Sequence, residues 1–352
     1  DERIGTRFLK GGWHIADGHK LSLSHFRYGM EVESLWNSLY HAEYSSTLGP
    51  VVGERRQEDT VLRYVAAPDG NPWLNLTASA FRSEGWYERG YKFGADLGTD
   101  LYYKNVDERR GLSVQNLMDF STGDVHHRLL VGADYEVREE DGIYILNGVT
   151  TSFNSMPNEY NDLGVFIQHE SAWVDGRLLL QLGGRYDRFD REVLGVAEGY
   201  DNSRFSPRAG VSFELLPGFN LLANYSEAFR APTPHETSSE GPLNIHYWYQ
   251  PNPDLDSETS SEYEAGFSFR RQGLFRDDAV FNAKLMHFQG EIEDMIDLVV
   301  DYGSVSPADS EYVQYRNVGK VKRRGFELET SYDTPSWSVY LNYETLDQYD
   351  VQ

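Results

Sequence analysis

The stretch FSPRAGVSFELLPGFNLLANYSEAF, which covers residues 205–229, shows the pattern that determines the fold. Apolar or small residues occupy every second position on both sides of a turn at Pro217-Gly218, except at Glu227. These positions are Phe205, Pro207, Ala209, Val211, Phe213, Leu215, Leu221, Ala223, Tyr225 and Phe229. A period of two is typical of a β-strand with one apolar face, and about ten residues suffice for a tilted strand to cross a membrane. The stretch therefore predicts two membrane-crossing strands joined by a tight turn.

The connections between such segments differ in length in a regular way. Short turns are expected at residues 16–18, 68–70, 174–176, 216–218 and 333–336. Long polar loops are expected at residues 29–57, 138–161, 189–204, 230–259 and 293–316. Short turns on one side and long loops on the other are typical of bacterial outer-membrane barrels. The sequence therefore predicts an all-β fold, a transmembrane antiparallel β-barrel, with about fourteen strands in this chain.

The composition is compatible with this fold and excludes several function classes. The 352 residues include 56 acidic and 32 basic side chains, so nucleic acid is not an expected partner. Cysteine is absent, which excludes disulfides and thiol catalysis within the chain. Aromatic residues make up 14% of the chain, and those near predicted strand ends are expected in girdles at the membrane–water interface. They are Trp73, Trp86, Tyr87, Trp173, Tyr186, Phe189, Trp337 and Tyr343.

Several motifs follow one another in an order that resembles a known family. They are Tyr186 with Ser206 to Gly210, Phe229-Arg230-Ala231-Pro232, Asn252-Pro253-Asp254-Leu255, Glu291 to Ile296, and Asn317 to Glu329. The second and third resemble the FRAP and NPDL boxes of the TonB-dependent outer-membrane receptors, and the others resemble further motifs of that family. The resemblance covers at least residues 160–346, whereas residues 1–160 carry weaker motifs.

The resemblance implies a barrel of 22 strands closed by an N-terminal plug domain. We therefore expect residues 1–352 to be a partial barrel, with the plug and some strands at both ends missing. An open sheet would leave unpaired edges in lipid, which favours the same interpretation. The resemblance also implies a place in the bacterial outer membrane, in contact with its lipid and lipopolysaccharide. Transport would be energised by the TonB–ExbB–ExbD complex through the plug.

The loop between the FRAP and NPDL boxes contains the candidate ligand-binding residues. They are His246, His235, Tyr247, Trp248, Tyr249 and Arg230. In the haem and haemoglobin receptor subgroup, which this chain resembles, a histidine between the two boxes is an axial ligand of the haem iron. His246 is the preferred candidate, because it lies in the middle of the loop among aromatic residues. His235 is the alternative; it lies near a strand end, where a local hydrogen bond is expected.

Haem is therefore the expected cargo, as a transported ligand and not as a permanent cofactor. It would arrive free or on a haem-carrying protein, such as a haemophore or haemoglobin. A ferric-siderophore receptor is the alternative, because both boxes also occur in siderophore receptors and aromatic loops bind siderophores as well.

An enzyme and a passive porin are less favoured. His41-Ala42-Glu43 and Pro234-His235-Glu236 are isolated pairs, without the spacing of a hydrolase triad or a zinc protease. His126 and His127 are adjacent on a predicted strand, so their side chains are expected on opposite faces and do not form a metal pair. Porins lack the FRAP and NPDL boxes. The chain is therefore not expected to be an enzyme.

Overall fold

The computed structural model describes residues 2–34, 48–93, 100–146, 149–151, 157–193, 200–243, 246–306 and 310–351. Within these ranges lie nineteen strands and one short helix, α1 (Pro234–Ser238). The strands are β1 (Glu2–Ala16), β2 (His19–Ser34), β3 (Leu48–Ala66), β4 (Leu76–Phe93), β5 (Asp100–Thr122), β6 (Val125–Leu146), β7 (Val149–Thr151), β8 (Asn158–Trp173), β9 (Leu178–Val193), β10 (Tyr200–Leu216), β11 (Phe219–Arg230), β12 (Gly241–Pro242), β13 (Tyr247–Tyr249), β14 (Glu258–Gln272), β15 (Val280–Glu293), β16 (Ile296–Asp301), β17 (Glu311–Asn317), β18 (Lys320–Asp333) and β19 (Ser338–Val351). No helix in these ranges is long and apolar enough to cross a membrane.

Fourteen of the strands form one antiparallel sheet, the wall. Its order is β1-β2-β3-β4-β5-β6-β8-β9-β10-β11-β14-β15-β18-β19, and the short strand β7 pairs with β6. Its strands are 12 to 23 residues long, well above the roughly five or six residues usual in soluble sheets. The prediction of an all-β antiparallel fold with about fourteen strands is confirmed for the described part of the chain.

Tight turns join the wall strands at one end of the sheet. All five predicted short turns are present. In one of them Gly218 has a φ of +78°, and a Cβ there would lie 2.1 Å from the carbonyl oxygen of Arg270, so only glycine fits. Two further short connections, at residues 123–124 and 273–279, were not predicted.

The strands extend further from these turns than the sequence predicts. β2 runs to Ser34 and β3 begins at Leu48, both inside the predicted loop 29–57, and β6 and β8 likewise enter the predicted loop 138–161. The predicted boundaries of these two loops are therefore wrong, whereas the predicted loop 230–259 agrees with the end of β11 at Arg230 and the start of β14 at Glu258. Outside lipid both faces of a strand can be polar, so the apolar alternation ends although the backbone hydrogen bonding continues.

One side of the wall, the apolar face, exposes large hydrophobic side chains. Across six adjacent strands a row of residues is paired side by side, namely Leu23, Leu62, Ala80, Leu112, Tyr135 and Leu163. The larger ones are 42–60% exposed. A continuous exposed apolar surface indicates a lipid contact. The opposite side, the polar face, carries ion pairs such as that of Arg185 with Asp134, whose atoms lie 2.6 Å apart.

Aromatic and imidazole rings form a row on the apolar face near the short turns. Trp73 stacks on Phe120 with ring centroids 4.6 Å apart, Phe120 on His127 at 5.1 Å, and His127 on His169 at 5.2 Å. Rings at this height suit the membrane–water interface. His126 instead contacts a carboxylate on the polar face. The two adjacent histidines therefore point to opposite faces, as predicted.

Most of the predicted girdle residues are exposed rings. Exposed fractions of 41–60% are found for Trp73, Trp173, Tyr186, Trp337 and Tyr343. Phe189 is only 3% exposed and stacks on Phe229 at 5.3 Å, so its assignment to a girdle is wrong. Trp86 lies beyond the apolar row, with the Arg56 guanidinium and the Lys104 ammonium each 5.1 Å from its ring centroid.

Further toward the long loops, the apolar face carries a row of carboxylates. The residues paired side by side are Glu58, Glu84, Glu108, Glu139, Glu159 and Glu192. Like charges directly opposite one another destabilise a sheet, and three arginines offset part of this repulsion. Arg27 contacts Glu58 at 3.1 Å, Arg82 contacts Glu108 at 2.9 Å, and Arg110 contacts Glu139 at 2.8 Å. The row marks the height along the strands at which this face is no longer apolar.

Candidate functional site

The connections from β11 to β14 and from β15 to β18 form a second sheet beyond the wall, which we call the loop sheet. Its order is β12-β13-β17-β16, and β13 pairs with β17 in parallel. Leu255 and Val313, each 1% exposed, and Tyr249, 6% exposed, are buried in this region. Two loops that are far apart in the sequence therefore form one packed unit, and this unit contains the described candidate ligand-binding residues.

Arg230, the arginine of the FRAP box, clamps the base of the loop sheet. Its Nε donates to Glu258 at 2.6 Å and its Nη1 donates to Glu236 at 2.8 Å. Glu258 also accepts a hydrogen bond from the backbone amide of Ile296 at 2.6 Å. Burial acts to raise the pKa of Glu258, but the Arg230 and Ile296 hydrogen bonds hold that pKa below its usual value. The clamp thus joins β11, α1, β14 and β16.

The helix α1 follows directly from the FRAP box. Pro232 is fully buried, and Thr233 is the N-cap, whose hydroxyl accepts from the Glu236 amide while the Glu236 carboxylate accepts from the Thr233 amide. This reciprocal pair is a capping box, and Pro234 at the helix start fits it. The short helix therefore has a defined position, which fixes the backbone of His235.

The NPDL box connects α1 to the connection between β15 and β18. The Asn252 amide donates to the carbonyl of Thr237 at 2.8 Å, and its side-chain Nδ2 donates to the carbonyl of Tyr315 at 2.9 Å. Leu255 fills the interior, whereas Pro253 and Asp254 are exposed. The box therefore acts through backbone contacts and one buried side chain.

Asn317 joins the two loops from the other side. Its Nδ2 donates to the carbonyls of Asp256 at 3.1 Å and Asp294 at 2.6 Å, and its Oδ1 accepts from the Asp256 amide at 2.9 Å. One side chain thus satisfies three backbone groups at the point where the loop sheet meets the wall.

His235 is half-buried between two tyrosines. Its ring centroid lies 5.7 Å from those of Tyr249 and Tyr315, in edge-on contact with both. Its Nδ1 lies 2.9 Å from the hydroxyl of Ser239, which donates its own proton to the His235 carbonyl at 2.5 Å. Nδ1 must therefore be the donor to that hydroxyl, and Nε2 carries the lone pair. The expected local hydrogen bond is present, and it leaves the other nitrogen in the form that binds metals.

Tyr249 and Tyr315 stack with centroids 6.2 Å apart and planes 12° apart. Burial, with a smaller effect from Tyr315, raises the pKa of Tyr249 to about 12. Burial therefore favours the neutral phenol over the phenolate at this position. In this conformation Tyr249 packs against His235 and Tyr315.

His246 is exposed and lies directly before β13, at the end of this central strand of the loop sheet. Its ring contacts that of Tyr247 edge-on at 6.3 Å, and its carbonyl accepts from the Glu311 amide at 2.9 Å. Successive strand side chains alternate, so Trp248 points to the side opposite Tyr247 and Tyr249. The predicted residues therefore form two groups, His235 with Tyr249 and His246 with Tyr247, while Arg230 is engaged in the clamp.

Tyr315 was missed by the sequence analysis. The β-branched and aromatic residues Tyr312, Val313 and Tyr315 favour a strand, but no local pattern predicts its parallel pairing with a distant loop. Among the described residues, no three His, Asp or Glu side chains form a group that could hold a metal ion.

Comparison with known proteins gives the chain a family. A family model described as TonB dependent receptor-like, beta-barrel, matches residues 7–351. The hemin receptor of Yersinia pestis is 26% identical over 361 residues, covering 97% of this chain and 49% of that protein. The ferrichrome outer membrane transporter/phage receptor of Escherichia coli (strain K12) is 33% identical over 168 residues, covering 38% of this chain and 22% of that protein.

A solved structure with the same fold is that of a double mutant of the Serratia marcescens hemophore receptor HasR, in complex with its hemophore HasA and heme. The TM-score is 0.81 at 19% identity, over 98% of this chain and 54% of that chain. This chain spans about half the length of the hemin receptor and of HasR. The matched proteins are receptors and transporters, not enzymes. Since the family model matches nearly every residue, the chain belongs to the TonB-dependent receptor family and forms part of its β-barrel.

Proposed function

We propose that this chain is part of an outer-membrane receptor that imports haem for iron acquisition, with transport energised by the TonB–ExbB–ExbD complex. The observation that carries the proposal is a loop sheet with two histidines on a receptor wall. The similarity of this chain to the Yersinia pestis hemin receptor, over 97% of the chain, supports haem as the cargo.

His246 is the proposed axial ligand of the haem iron. Its side chain is exposed at the end of β13, so a porphyrin would reach it without disturbing the packed interior. Tyr247 and Trp248, on the two sides of β13, offer rings for contact with the porphyrin. A neutral imidazole is a common haem-iron ligand, and haem is here a transported ligand.

His235 is the alternative ligand. The hydrogen bond from its Nδ1 to Ser239 orients the ring, as the partner of a metal-bound imidazole usually does. The edges of Tyr249 and Tyr315 cover it, so this role requires the loop sheet to open. Arg230 is proposed to act indirectly, by holding the loop on which both histidines lie.

The rest of the receptor is also part of the proposal. Within the described residues, β1 and β19 each leave one edge of the wall unpaired, which is not viable in lipid. We infer that residues 1–352 are a partial barrel, completed by further strands and a plug. The apolar face would contact outer-membrane lipid and lipopolysaccharide. The long-loop end would receive haem or a haem-carrying protein, in keeping with the HasR–HasA complex.

Absorption spectroscopy of the full-length receptor titrated with haem tests the ligand assignment. We expect His246→Ala to shift the Soret band and to weaken haem binding about tenfold or more, because one iron–nitrogen bond is lost. We expect His235→Ala to leave the spectrum unchanged. His126→Ala, at the short-turn end of the wall, is the matched control.

The outcomes distinguish the two histidines. A spectrum altered by His235→Ala but not by His246→Ala assigns the iron to His235, and Ser239→Ala would then weaken binding as well. If the wild-type spectrum and affinity survive in the double variant, neither histidine binds iron and the proposed ligand is wrong.

A ferric-siderophore receptor is the second candidate. It is favoured by the 33% identity to the ferrichrome transporter over 168 residues, and by the buried aromatic pair in the loop sheet. Saturable binding of a ferric siderophore, with no haem binding, would select this alternative.

A further inference from the structure

The connection between β14 and β15 presents an aromatic ring at the short-turn end of the wall. The turn is closed by the Gly273 amide, which donates to the carbonyl of Ala279 at 2.9 Å, and Ala279 is fully buried beneath it. At its tip Phe275 is 90% exposed, more than any other large hydrophobic residue described. Phe275 has a φ of +63°, in the left-handed region that glycine or asparagine adopts more easily. An exposed phenylalanine on strained backbone suggests a binding role.

A hydrogen bond draws the turn toward the apolar face. The hydroxyl of Tyr332 donates to the carbonyl of Leu274 at 3.0 Å. Tyr332 lies on the same face as Leu328 and packs on Trp337, with ring centroids 5.5 Å apart. Leu274, the residue before Phe275, is therefore tied to the apolar face beside Tyr332 and Trp337.

Arg271 provides a cation at the same height. It is paired across the ladder with Phe281 and lies two residues beyond Phe269, on the apolar face. Its side chain is exposed, and no carboxylate lies within ion-pair distance among the residues that the structure describes. Arg276, in the turn itself, is instead paired with Asp278 at 2.5 Å. Arg271 is therefore available to bind a lipid phosphate just outside the apolar layer.

We propose that Phe275 and Arg271 form an anchor for phospholipid headgroups of the leaflet next to the short turns, which is the periplasmic leaflet of the outer membrane. The ring enters the interface beside the acyl chains, where aromatic side chains are favoured, and the guanidinium binds a lipid phosphate. The inference rests on the outer-membrane location of the wall and is independent of the cargo.

Site-directed spin labelling of the full-length receptor, in vesicles of phosphatidylethanolamine and phosphatidylglycerol, measures the depth of this position. This chain has no cysteine, so Phe275→Cys introduces one labelling site in it. Tyr302→Cys, 79% exposed in the hairpin of the loop sheet, is the matched control. We expect the label at 275 to be accessible to oxygen and protected from a water-soluble nickel chelate, and the label at 302 to show the reverse. Equal chelate access at both positions would overturn the proposal and favour a periplasmic protein as the occupant.

A second variant removes the ring without straining the turn. Phe275→Gly suits the backbone, so we expect unchanged or higher thermal stability in detergent micelles and lower stability in phospholipid nanodiscs. Arg271→Gln should lower stability only in nanodiscs, and less so at high salt. Equal shifts in both media would show a role in folding alone and contradict the anchor. The haem spectrum should be unchanged in both variants. A failure of the lipid-anchor proposal can therefore be distinguished from a failure of the haem proposal.

Discussion

At the scale of single residues, the side chains of the FRAP and NPDL boxes mainly connect neighbouring segments of the chain. Arg230 binds Glu258 and Glu236, and Asn252 reaches the carbonyl of Tyr315. These contacts hold in place the segments on which the two histidines lie. The motifs therefore have a supporting role, and the proposed binding role belongs to the histidines between them.

Replacing Arg230 by methionine is expected to loosen the docking of the loop. A charge-assisted pair of this kind contributes roughly 1–3 kcal/mol, and the partial exposure of Arg230 places the expected loss near the lower end. Hydrogen exchange of residues 246–257 measures the effect. Arg324→Met, which removes an exposed pair with Asp347 on the wall, is the control and should leave these residues unaffected.

The same clamp predicts a dependence on pH. The pKa of Glu258 in the folded receptor lies below its ordinary value of 4.5. Its contribution is therefore fully present above about pH 4.5 and is lost as the pH falls through the folded pKa. The protection of this loop, measured as its exchange rate relative to the intrinsic rate at each pH, should fall at lower pH in the wild type, and this fall should be weaker in Arg230→Met. An identical pH profile in both proteins would argue against the clamp.

At the scale of elements, the loop sheet joins the β11–β14 and β15–β18 connections into one packed unit. β13 and β17 pair in parallel, and Asn317 joins Asp256 to Asp294. An opening of one loop must therefore disturb the other. We therefore expect the two loops to respond together when either is perturbed.

Asn317→Ala is expected to increase hydrogen exchange in β13 as well as in β16 and β17. Three backbone groups lose their partner, at a combined cost of about 2–3 kcal/mol. Asn282→Ala, which removes one side-chain hydrogen bond to Ser331 on the wall, is the matched control. Faster exchange confined to residues 294–317 would show that the loops move independently.

The sequence predicts the wall well and the loop sheet poorly. Alternation such as that of Phe205 to Leu215 identifies strands wherever one face contacts lipid. It does not predict the strand ends in polar surroundings, such as Ser34 or Asn158, because both faces there are polar. It also does not predict which distant strand β13 will pair with, so Tyr315 was not recognised as a neighbour of His235 and Tyr249.

At the scale of the whole molecule, the chain divides into zones along the strands. Aromatic rings lie near the short turns, the apolar row follows, then the row of six glutamates, and the loop sheet lies beyond the FRAP strand. The order matches lipid interface, lipid, headgroup layer and water. Under the proposed function the wall would serve any cargo of this family, and the choice of cargo would depend on the loop sheet.

Growth of an iron-starved bacterium that has this receptor in full length as its sole outer-membrane iron receptor tests the central claim most directly. With haem as the only iron source, we predict growth that requires TonB and is lost in His246→Ala. Failure to grow on haem, together with growth on a ferric siderophore, would contradict the proposal.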